Sequence, residues 1–395
     1  MTVYSLLNGI RILDLTRLLP GPMCTLFLAD MGAEVIKIEQ PGVGDYIRWV
    51  PPLHKQEGVA FLALNRNKKS ICLDIKKEQG REIFMKLVAD SDVIIESFRP
   101  GVTERIGIDY QRVVLTKPDM IYCSLTGFGQ ESPYRNRADH DINYLALSGL
   151  FHYFFLAQDQ PVVPPIQLAD VGGGSFPAAI GILAALVNRN KTGKGEYIDV
   201  SMLDGLMTWS SLLSAAYFSG GREPKIGEGL LAGEYPCYNL YRTADDRFIS
   251  VGTIEPKFWV SFLKVIGRPD LKNKQFAEGE EATDIRAEIQ NIIEQEPLSY
   301  WQERFSGENQ CVEPLLTLSE ALTQQHVVQR GLLKTLHHPT EGDIQQIGHP
   351  LKYTQSAQKN DTHPPKLGEH TQEILQQLGF NQDDIKQLKE DKVIS

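Results

Sequence analysis

Residues 9–39 read GIRILDLTRLLPGPMCTLFLADMGAEVIKIE. Within this stretch IRILDL, residues 10–15, is a mostly apolar run of strand length, the pattern of a buried strand. Apolar residues continue over 21–32, with Pro22 in the first turn and Gly32 as the stop, which is the punctuation of a helix. EVIKIE, residues 34–39, is a second strand. A strand, a helix and a strand in so short a span describe one crossover unit of a parallel sheet. The pattern recurs in SICLDI (70–75), a helix over 78–90, DVIIES (92–97) and MIYCSL (120–125). Such alternation predicts an α/β fold with a doubly wound, Rossmann-like parallel sheet, and ligands at the carboxyl ends of its strands. The turn LLPGP (18–22) lacks the GxGxxG spacing, which argues against a nicotinamide or flavin cofactor.

Farther along, SFPAAIGILAALVNRN (175–190) reads as a helix and YIDVSML (197–203) as a strand. The character changes after about Gly220. Residues 221–229 read as a linker, and 241–253 as a hairpin turning at Asp245 and Asp246. Helical segments run from Pro256 through Arg330. Residues 338–368 read as a long connection, followed by short helices over 371–378 and 382–388. At 395 residues the chain is long enough for two domains. A 42% hydrophobic and 23% charged composition is that of a globular enzyme. The net charge of −10, without a long basic stretch, argues against nucleic acid. Five scattered cysteines with no CxxC pair argue for reduced thiols in the cytoplasm and against a zinc site. The N-terminus has no signal-peptide pattern, and the longest apolar run, 177–187, is too short to cross a bilayer.

Three clusters carry candidate chemistry. In RADHDINYLALSGL (137–150), Ile142, Leu145, Ala146 and Gly149 recur at helical spacing, and Asp141 is a good N-cap. His140, just before this helix, sits in the positive end of its dipole, which favours neutral imidazole as a base. In QLADVGGGS (167–175), Asp170 precedes three glycines and a helix start; it can be a base, a nucleophile or a cap. The glycines there let backbone N–H groups approach a ligand. In VGTIEPKFW (251–259), Glu255 lies at an apolar strand end, where an unpaired carboxylate is costly, so a partner such as a histidine is expected, although it can also be a plain helix-start acid. Two loops are basic: one carries Arg66, Lys68 and Lys69, the other Arg99 and Arg105. Each cation alone reads as solvated surface. Together, in an acidic chain, they point to a phosphate-bearing ligand.

These stretches, with LNRNKKSICLDIK, SFRPGVTERIG, KTGKGEYIDVSMLDG, YRTADDRFISVGTIEPKFW and GEHTQEIL, run in order from one end to the other. The chain resembles the family III CoA-transferases, the CaiB/BaiF group, and within it the α-methylacyl-CoA racemase branch. The resemblance covers nearly the whole chain. It implies a large CoA-binding domain, residues 1–220 with 338–395 returning to it, and a smaller α+β domain, 221–337. It also implies an interlocked homodimer with the active site between the large domain of one subunit and the small domain of the other. Coenzyme A would be part of the substrate rather than a prosthetic group, its phosphates meeting the basic loops, with Leu18 and Asp141 also at the ligand. His140 and Asp170 would be acid and base, and Glu255 would pair with the histidine. No metal, nucleic acid or membrane is implied.

The residue types suit racemisation next to a thioester, in which one group removes a proton from one face and another returns it to the opposite face. An enolate oxygen would need fixed donors, which the glycine-rich turn after Asp170 and the helix N-terminus before Asn143 can supply. The rival reading is CoA transfer between carboxylic acids, with Asp170 as nucleophile through an anhydride and an aspartyl-CoA thioester. Asp170 suits both; His140 and Glu255 favour proton transfer, since the transferases typically carry tyrosine in place of that histidine and a glycine run in the small domain, where this chain has scattered Gly227, Gly229 and Gly233. A third reading, CoA-ester binding without turnover, needs only the basic loops and leaves the three acid–base residues unexplained. Two departures bear on the ligand. Gln40 stands where the family often has arginine near the adenine, and AGEYPCY (232–238) replaces the racemase pattern, so acyl preference can differ. The aromatic LFHYFFL (150–156) is either an acyl-channel wall or a core segment. Fatty-acid, sterol side-chain and carnitine-like acyl groups all remain open.

Overall fold

The structure, a computed structural model, describes residues 3–154, 156–157, 160–307 and 310–395. The chain forms two compact units: Met1–Phe151, Val162–Ser211 and Val328–Ser395 make the first, and His152–Pro161 with Leu212–Val327 the second. The first is built on six parallel strands: β1 (Arg11–Asp14), β2 (Glu34–Glu39), β3 (Lys68–Cys72), β4 (Val93–Glu96), β5 (Ile121–Thr126) and β6 (Glu196–Ser201), in the order β3-β2-β1-β4-β5-β6. The chain starts in the middle of the sheet, winds one way through β3, then crosses β1 and winds the other way. The direction reverses between β1 and β4, and the crevice outside their carboxyl ends is where such sheets bind ligands.

Helix α1 (Pro20–Asp30) follows β1 and is buried on nearly every side. Helix α2 (Glu78–Ala89) buries one stripe, Ile83, Phe84, Leu87 and Val88, as its amphipathic spacing requires. Helix α3 (Asp141–Leu147) buries Tyr144 and Leu145; Ile142 and Ala146, expected on the buried face, are exposed. A π-wound segment, Ala169–Ser175, runs directly into α4 (Phe176–Thr192), and α5 (Met202–Met207) packs on that segment. Ala169–Thr192 is therefore one continuous helix of 24 residues, long and apolar enough to cross a membrane by length and composition. That overturns the estimate made from the apolar run alone. Half of its apolar window is buried within the protein.

The second unit has an antiparallel sheet of β7 (Tyr238–Arg242), β8 (Phe248–Gly252) and β9 (Val312–Pro314). The hairpin turns through Asp246 in a left-handed conformation, φ 56°. Helices α6 (Pro256–Val265), α7 (Gly279–Ile293) and α8 (Leu298–Arg304) cover it. Trp259, Phe262, Ile285, Ile289, Trp301 and Val251 share its core.

Beyond it the chain re-enters the first unit. A hairpin of β10 (Leu333–His338) and β11 (Gly342–Ile347) begins ahead of residues 338–368, read as a long connection, and places its second strand within them. Helices α9 (Thr371–Gln377) and α10 (Gln382–Glu390) close the main core, where Ile374, Leu375, Ile385 and Leu388 join Leu13, Ile36 and Ile94. Backbone bonds pin this return: His370 N–H to the Ser70 carbonyl at 2.9 Å and Asp74 N–H to the Val393 carbonyl at 2.8 Å.

Candidate active site

His140 is the N-cap residue of α3; its backbone N–H donates to Asn143 Oδ1 at 3.0 Å, and its ring is exposed. Asp141 does not cap its own helix. Its Oδ1 accepts instead from the backbone N–H groups of Ala169, at 2.7 Å, and Asp170, at 2.9 Å. This carboxylate therefore caps the start of the 24-residue helix from a different part of the chain. His140 and Asp170 are thus brought together through Asp141, which adjoins one in sequence and bonds the other's backbone. The start of α3 is fixed in turn by Tyr144, whose hydroxyl donates to the Asp139 carbonyl at 2.9 Å. The Tyr144 ring fills the space at Gly127 where a Cβ would sit.

Asp170 is half-buried, and burial together with the neighbouring Asp141 carboxylate raises its pKa to about 7. A carboxyl poised there can give or take a proton near neutrality. The three glycines after it play a different part from the one expected. They lie inside the helix, not in a turn, and each is required by packing. A Cβ on Gly172 would fall 2.0 Å from the Trp209 ring, one on Gly173 2.3 Å from the Met202 carbonyl oxygen, and one on Gly174 2.9 Å from the Met202 side chain. The glycines let α5 and Trp209 approach, so backbone donors to a ligand must come from elsewhere. Gly173→Ala is expected to lower the melting temperature, because its Cβ meets backbone that cannot swing aside. Overpacking of this kind destabilises by roughly 1–3 kcal/mol, and a thermal unfolding scan matching the wild type would contradict it.

Glu255 lies in the second unit as the N-cap residue of α6. Its carbonyl accepts from Phe258 N–H at 2.9 Å, and its side chain makes no capping bond. It is exposed, so water solvates the carboxylate and the demand for a buried partner disappears. The strand end before it is held by Gln275, whose Nε2 donates to the Thr253 and Ile254 carbonyls at 2.8 and 2.6 Å.

The basic residues divide into two groups. Arg66 is buried and turned inward, with Nη2 to Asp30 at 2.5 Å and Nη1 to the Ile347 carbonyl at 3.0 Å. Lys68 is buried too, bonded to the Pro22 carbonyl and Asn65 Oδ1, each at 2.9 Å, and 3.4 Å from Asp14. Burial brings its pKa down to about 8 despite Asp14. Lys69 bridges Glu34 at 3.1 Å and Glu373 at 2.8 Å. These three are structural ties rather than open phosphate ligands. Lys68 was read as loop because the strand begins there, two residues before SICLDI; strand alternation turns Lys68 and Ser70 inward and Lys69 out.

The cations that face open space are elsewhere. A cavity of about 320 Å³ lies at the carboxyl ends of β1 to β4, across the reversal point. Arg17, Lys76 and Arg105 line it, with Gln40, Ile75 and Phe98. Three cations against Glu39, which Arg48 already engages at 2.7 Å, and Asp74 give it a basic character suited to an anionic ligand. Arg17 escaped notice in the sequence because it stands alone, and Lys76 because, with Lys77, it reads as the solvated start of an amphipathic helix. Arg99 stands close enough to Tyr144 to act on its hydroxyl.

Beside Arg17, Leu18 adopts a left-handed backbone, φ 64°, with its N–H directed at both Asp45 oxygens, each 3.2 Å away. Lys37 holds Asp45 at 3.1 Å and donates to the Thr16 carbonyl at 2.9 Å. Asp14 accepts from Thr16 and Thr25 hydroxyls at 2.5 and 2.6 Å. Burial opposes the Asp14 charge, but Lys37 and Lys68 outweigh it and bring the pKa down to about 2. This dry, fully engaged network fixes the loop that presents Arg17.

Among the described residues no group of three or more His, Cys, Asp or Glu side chains is placed to hold a metal ion. All five cysteines are free, four of them buried. In the aromatic stretch 150–156, Leu150 is buried; Phe155 lies outside the described residues, and the acyl-wall reading with it.

Residues 7–371 match the family described as CoA-transferase family III. The chain is 34% identical over 388 residues to the alpha-methylacyl-CoA racemase of Homo sapiens, covering 98% of this chain and 97% of the relative. It is 35% identical over 378 residues to the succinyl-CoA:glutarate CoA-transferase of Homo sapiens, covering 94% and 86%. A CAIB/BAIF family protein from Brucella suis superimposes with a TM-score of 0.82 at 27% identity, over 95% of this chain and 100% of that one. Racemase and transferase lie at similar identity, so likeness alone does not choose between the two activities, but the parallel six-stranded unit, the poised Asp170 and the match along almost the entire length agree: the chain belongs to the CoA-transferase family III.

Proposed function

We propose that this protein is an α-methylacyl-CoA racemase-type enzyme that epimerises 2-methylacyl-CoA thioesters by two-base proton transfer. The observation that carries the reading is the Asp170 carboxyl, raised to about 7 and tied through Asp141 to the helix headed by His140. A nucleophilic carboxylate for CoA transfer works ionised, whereas an acid–base group works from both states, and a pKa near neutrality makes both available. In one direction His140 or Asp170 removes the α-proton; the C–H electron pair moves to the thioester oxygen as an enolate. The other group then protonates the carbon from the opposite face. Asn143 and Tyr144 N–H groups are engaged by the His140 carbonyl, so the Asp141 and Ile142 N–H groups ahead of them in the first turn of α3 are the donors assigned to the enolate oxygen. Glu255 is assigned, on the family resemblance, as the carboxylate that orients the imidazole.

Coenzyme A enters as part of the substrate. Its phosphates are assigned to Arg17, Lys76 and Arg105, with Arg99 toward the reacting end, in place of Arg66, Lys68 and Lys69. Arg17→Ala combined with Arg105→Ala is expected to raise KM for the acyl-CoA at least about tenfold with kcat little changed, since phosphate contacts made equally in ground and transition states set KM. Unchanged KM in steady-state assays would remove these residues from the CoA site. A homodimer is part of the proposal, supported by apolar side chains left open on single units: Ile180 and Val187 on α4, and Leu212 and Phe218 on the helix Ser211–Gly220. A cytoplasmic setting fits the free thiols.

The test is proton NMR of the protein with (S)-2-methylacyl-CoA in deuterated water, with no acceptor acid. Loss of the α-proton signal with growth of the other epimer is the expected result. Absence of exchange, with CoA moving to an added carboxylic acid, would establish the transferase reading, in which Asp170 forms the acyl adduct.

A further inference from the structure

We infer that Asp141 is a positioning residue for the reaction: its carboxylate caps the helix that carries Asp170 and so fixes the Asp170 carboxyl relative to His140, its own chain neighbour. The inference rests on the proton-transfer reading of this site. Its basis is geometric. A carboxylate at the head of a short helix is expected to cap that helix, and this one leaves that task to the backbone around His140 and Asn143. Both Ala169 and Asp170 N–H groups converge on one oxygen, Oδ1. Neither N–H can find a helical acceptor at the beginning of a helix, so without Asp141 the first turn would lose two charge-assisted bonds at once.

Further anchors make that first turn sensitive to its cap. Ser175 Oγ donates to the Pro20 carbonyl at 2.7 Å and to the Asp170 carbonyl at 3.0 Å, tying the far end of the π-wound segment to α1. Gly172 and Gly173 hold its flank against Trp209 and Met202. The segment is therefore clamped behind Asp170, and Asp141 is the clamp in front. π-wound turns inside helices often sit at functional sites, because the wider winding re-aims one side chain.

The same carboxylate has an electrostatic effect. Of the charged groups around Asp170, Asp141 is the one that acts on it directly, and it acts with burial to favour the protonated form. Tyr144, on α3, faces it as a neutral phenol, its pKa raised to about 12 chiefly by burial; Asp139 also raises it and Arg99 lowers it. The neighbouring elements bring other ionisable groups with their own partners. Asp199 on β6 accepts from Gln130 N–H at 2.8 Å and interacts with Asp204 on α5. Asp30 on α1 pairs with Arg66, and Cys24 on α1 is buried. Asp141 thus serves as both cap and like-charge neighbour, and the two roles can be separated by substitution.

Asp141→Asn keeps an oxygen that can accept the two N–H groups but removes the charge. Asp141→Ala removes both. With the full-length protein, D141N is expected to show a pH profile of α-proton exchange displaced about one unit to lower pH, with KM within twofold of wild type. D141A is expected to lose at least about tenfold in kcat, again with little change in KM. A second readout does not depend on turnover: carbon-13 NMR titration of labelled aspartate carboxyls, with Asp170 assigned by its absence in D170N. The Asp170 titration should move down in D141N, whether or not the protein exchanges α-protons. If wild type shows no exchange while the Asp170 titration still moves, the racemase reading fails and the placement of Asp141 stands. If the titration and the profile of D141N overlay those of wild type, or D141A keeps wild-type kcat, the inference is overturned. Thermal melts of both variants identify a loss that is merely unfolding, and D141N, which keeps the capping oxygen, carries the test in that event.

Discussion

Asp170→Asn is expected to abolish α-proton exchange, by about 10² to 10⁴-fold in kcat, while leaving the fold intact. His140→Ala should do the same, since either half of a two-base pair is useless without the other. Each direction needs one of His140 and Asp170 as an ionised base and the other as a protonated acid, so both directions draw on the same overall protonation state. The two epimers should therefore follow one common pH profile of kcat/KM, as their pH-independent equilibrium constant requires, with a limb near neutrality from Asp170, raised to about 7. Profiles of different shape for the two purified epimers would contradict the two-base scheme. Stability moves as well. Asp170 titrates higher in the folded chain than in the unfolded one, where the ordinary value is 3.8. Its contribution is full below that value and is lost as pH rises to about 7, because burial resists the charge. D170N has no charge to bury, so it should melt higher than wild type at pH 8 while being inactive. A variant with full exchange would end the two-base proposal; a lower melting temperature at pH 8 would contradict the burial argument.

Arg66→Ala is expected to unfold the first unit readily without altering acyl-CoA affinity in whatever folded protein survives. Arg66 and Asp30 are both buried and meet at 2.5 Å, and Asn67 Nδ2 donates to the same carboxylate at 2.8 Å. Removing one partner of a buried pair leaves the other charge unpaired, at a cost of roughly 3–5 kcal/mol. His349, with Nδ1 3.8 Å from Asp30, cannot take over easily, since burial lowers its pKa and disfavours its cation. The melting temperature should fall by about 10 °C. A phosphate ligand would behave in the opposite way, with KM raised and the melting temperature unchanged, so one pair of measurements separates the two roles. Arg66→Lys should recover only part of the loss, because a point ammonium cannot reproduce the bidentate pair and the bond to Ile347 together.

Much of the first unit was legible because its strands are apolar runs punctuated by helices with proline starts and glycine stops. β1, α1 and β2 follow from residues 10–39 alone, and α2 from its stripe. The strand order was legible only as a class, since pairing between β1 and β4 depends on contacts across most of the unit. Local pattern misled where long-range partners decide. Lys68 looks like a loop cation, yet Asp14 and Asn65 draw it inward. A usable signal was present: an aspartate ending an apolar strand or helix, as Asp14 and Asp30 do, has to find a cation. Asp141 reads as the cap of its own helix because sequence shows only the nearest N–H donors. Its real partners, Ala169 and Asp170, are close only after folding. The glycine run was read as a ligand cradle because Trp209 and Met202, which need that space, are distant in sequence. His140 and Asp170 were singled out from their motifs; of the cations at the cavity, Arg17 stands alone in the sequence, and Lys76 is hidden beside Lys77 at the start of an ordinary amphipathic helix.

The interruption of the first unit by the second gives the order of synthesis a physical role. As the chain leaves the ribosome, residues 212–327 are complete, with their own core of Trp259, Phe262 and Trp301, before the acceptors that the first unit needs have been made. Arg48 finds one of them at the Pro365 carbonyl, at 3.1 Å, and Arg66 another at Ile347. Until α9 and α10 arrive, the apolar surface of Leu13, Ile36 and Ile94 lacks its cover. The nascent sheet is then a sticky, half-closed intermediate of the kind that chaperones recognise, while the inserted unit can already be native. The first unit accordingly cannot complete its core until residues 328–395 dock, whereas the inserted unit can finish ahead of it.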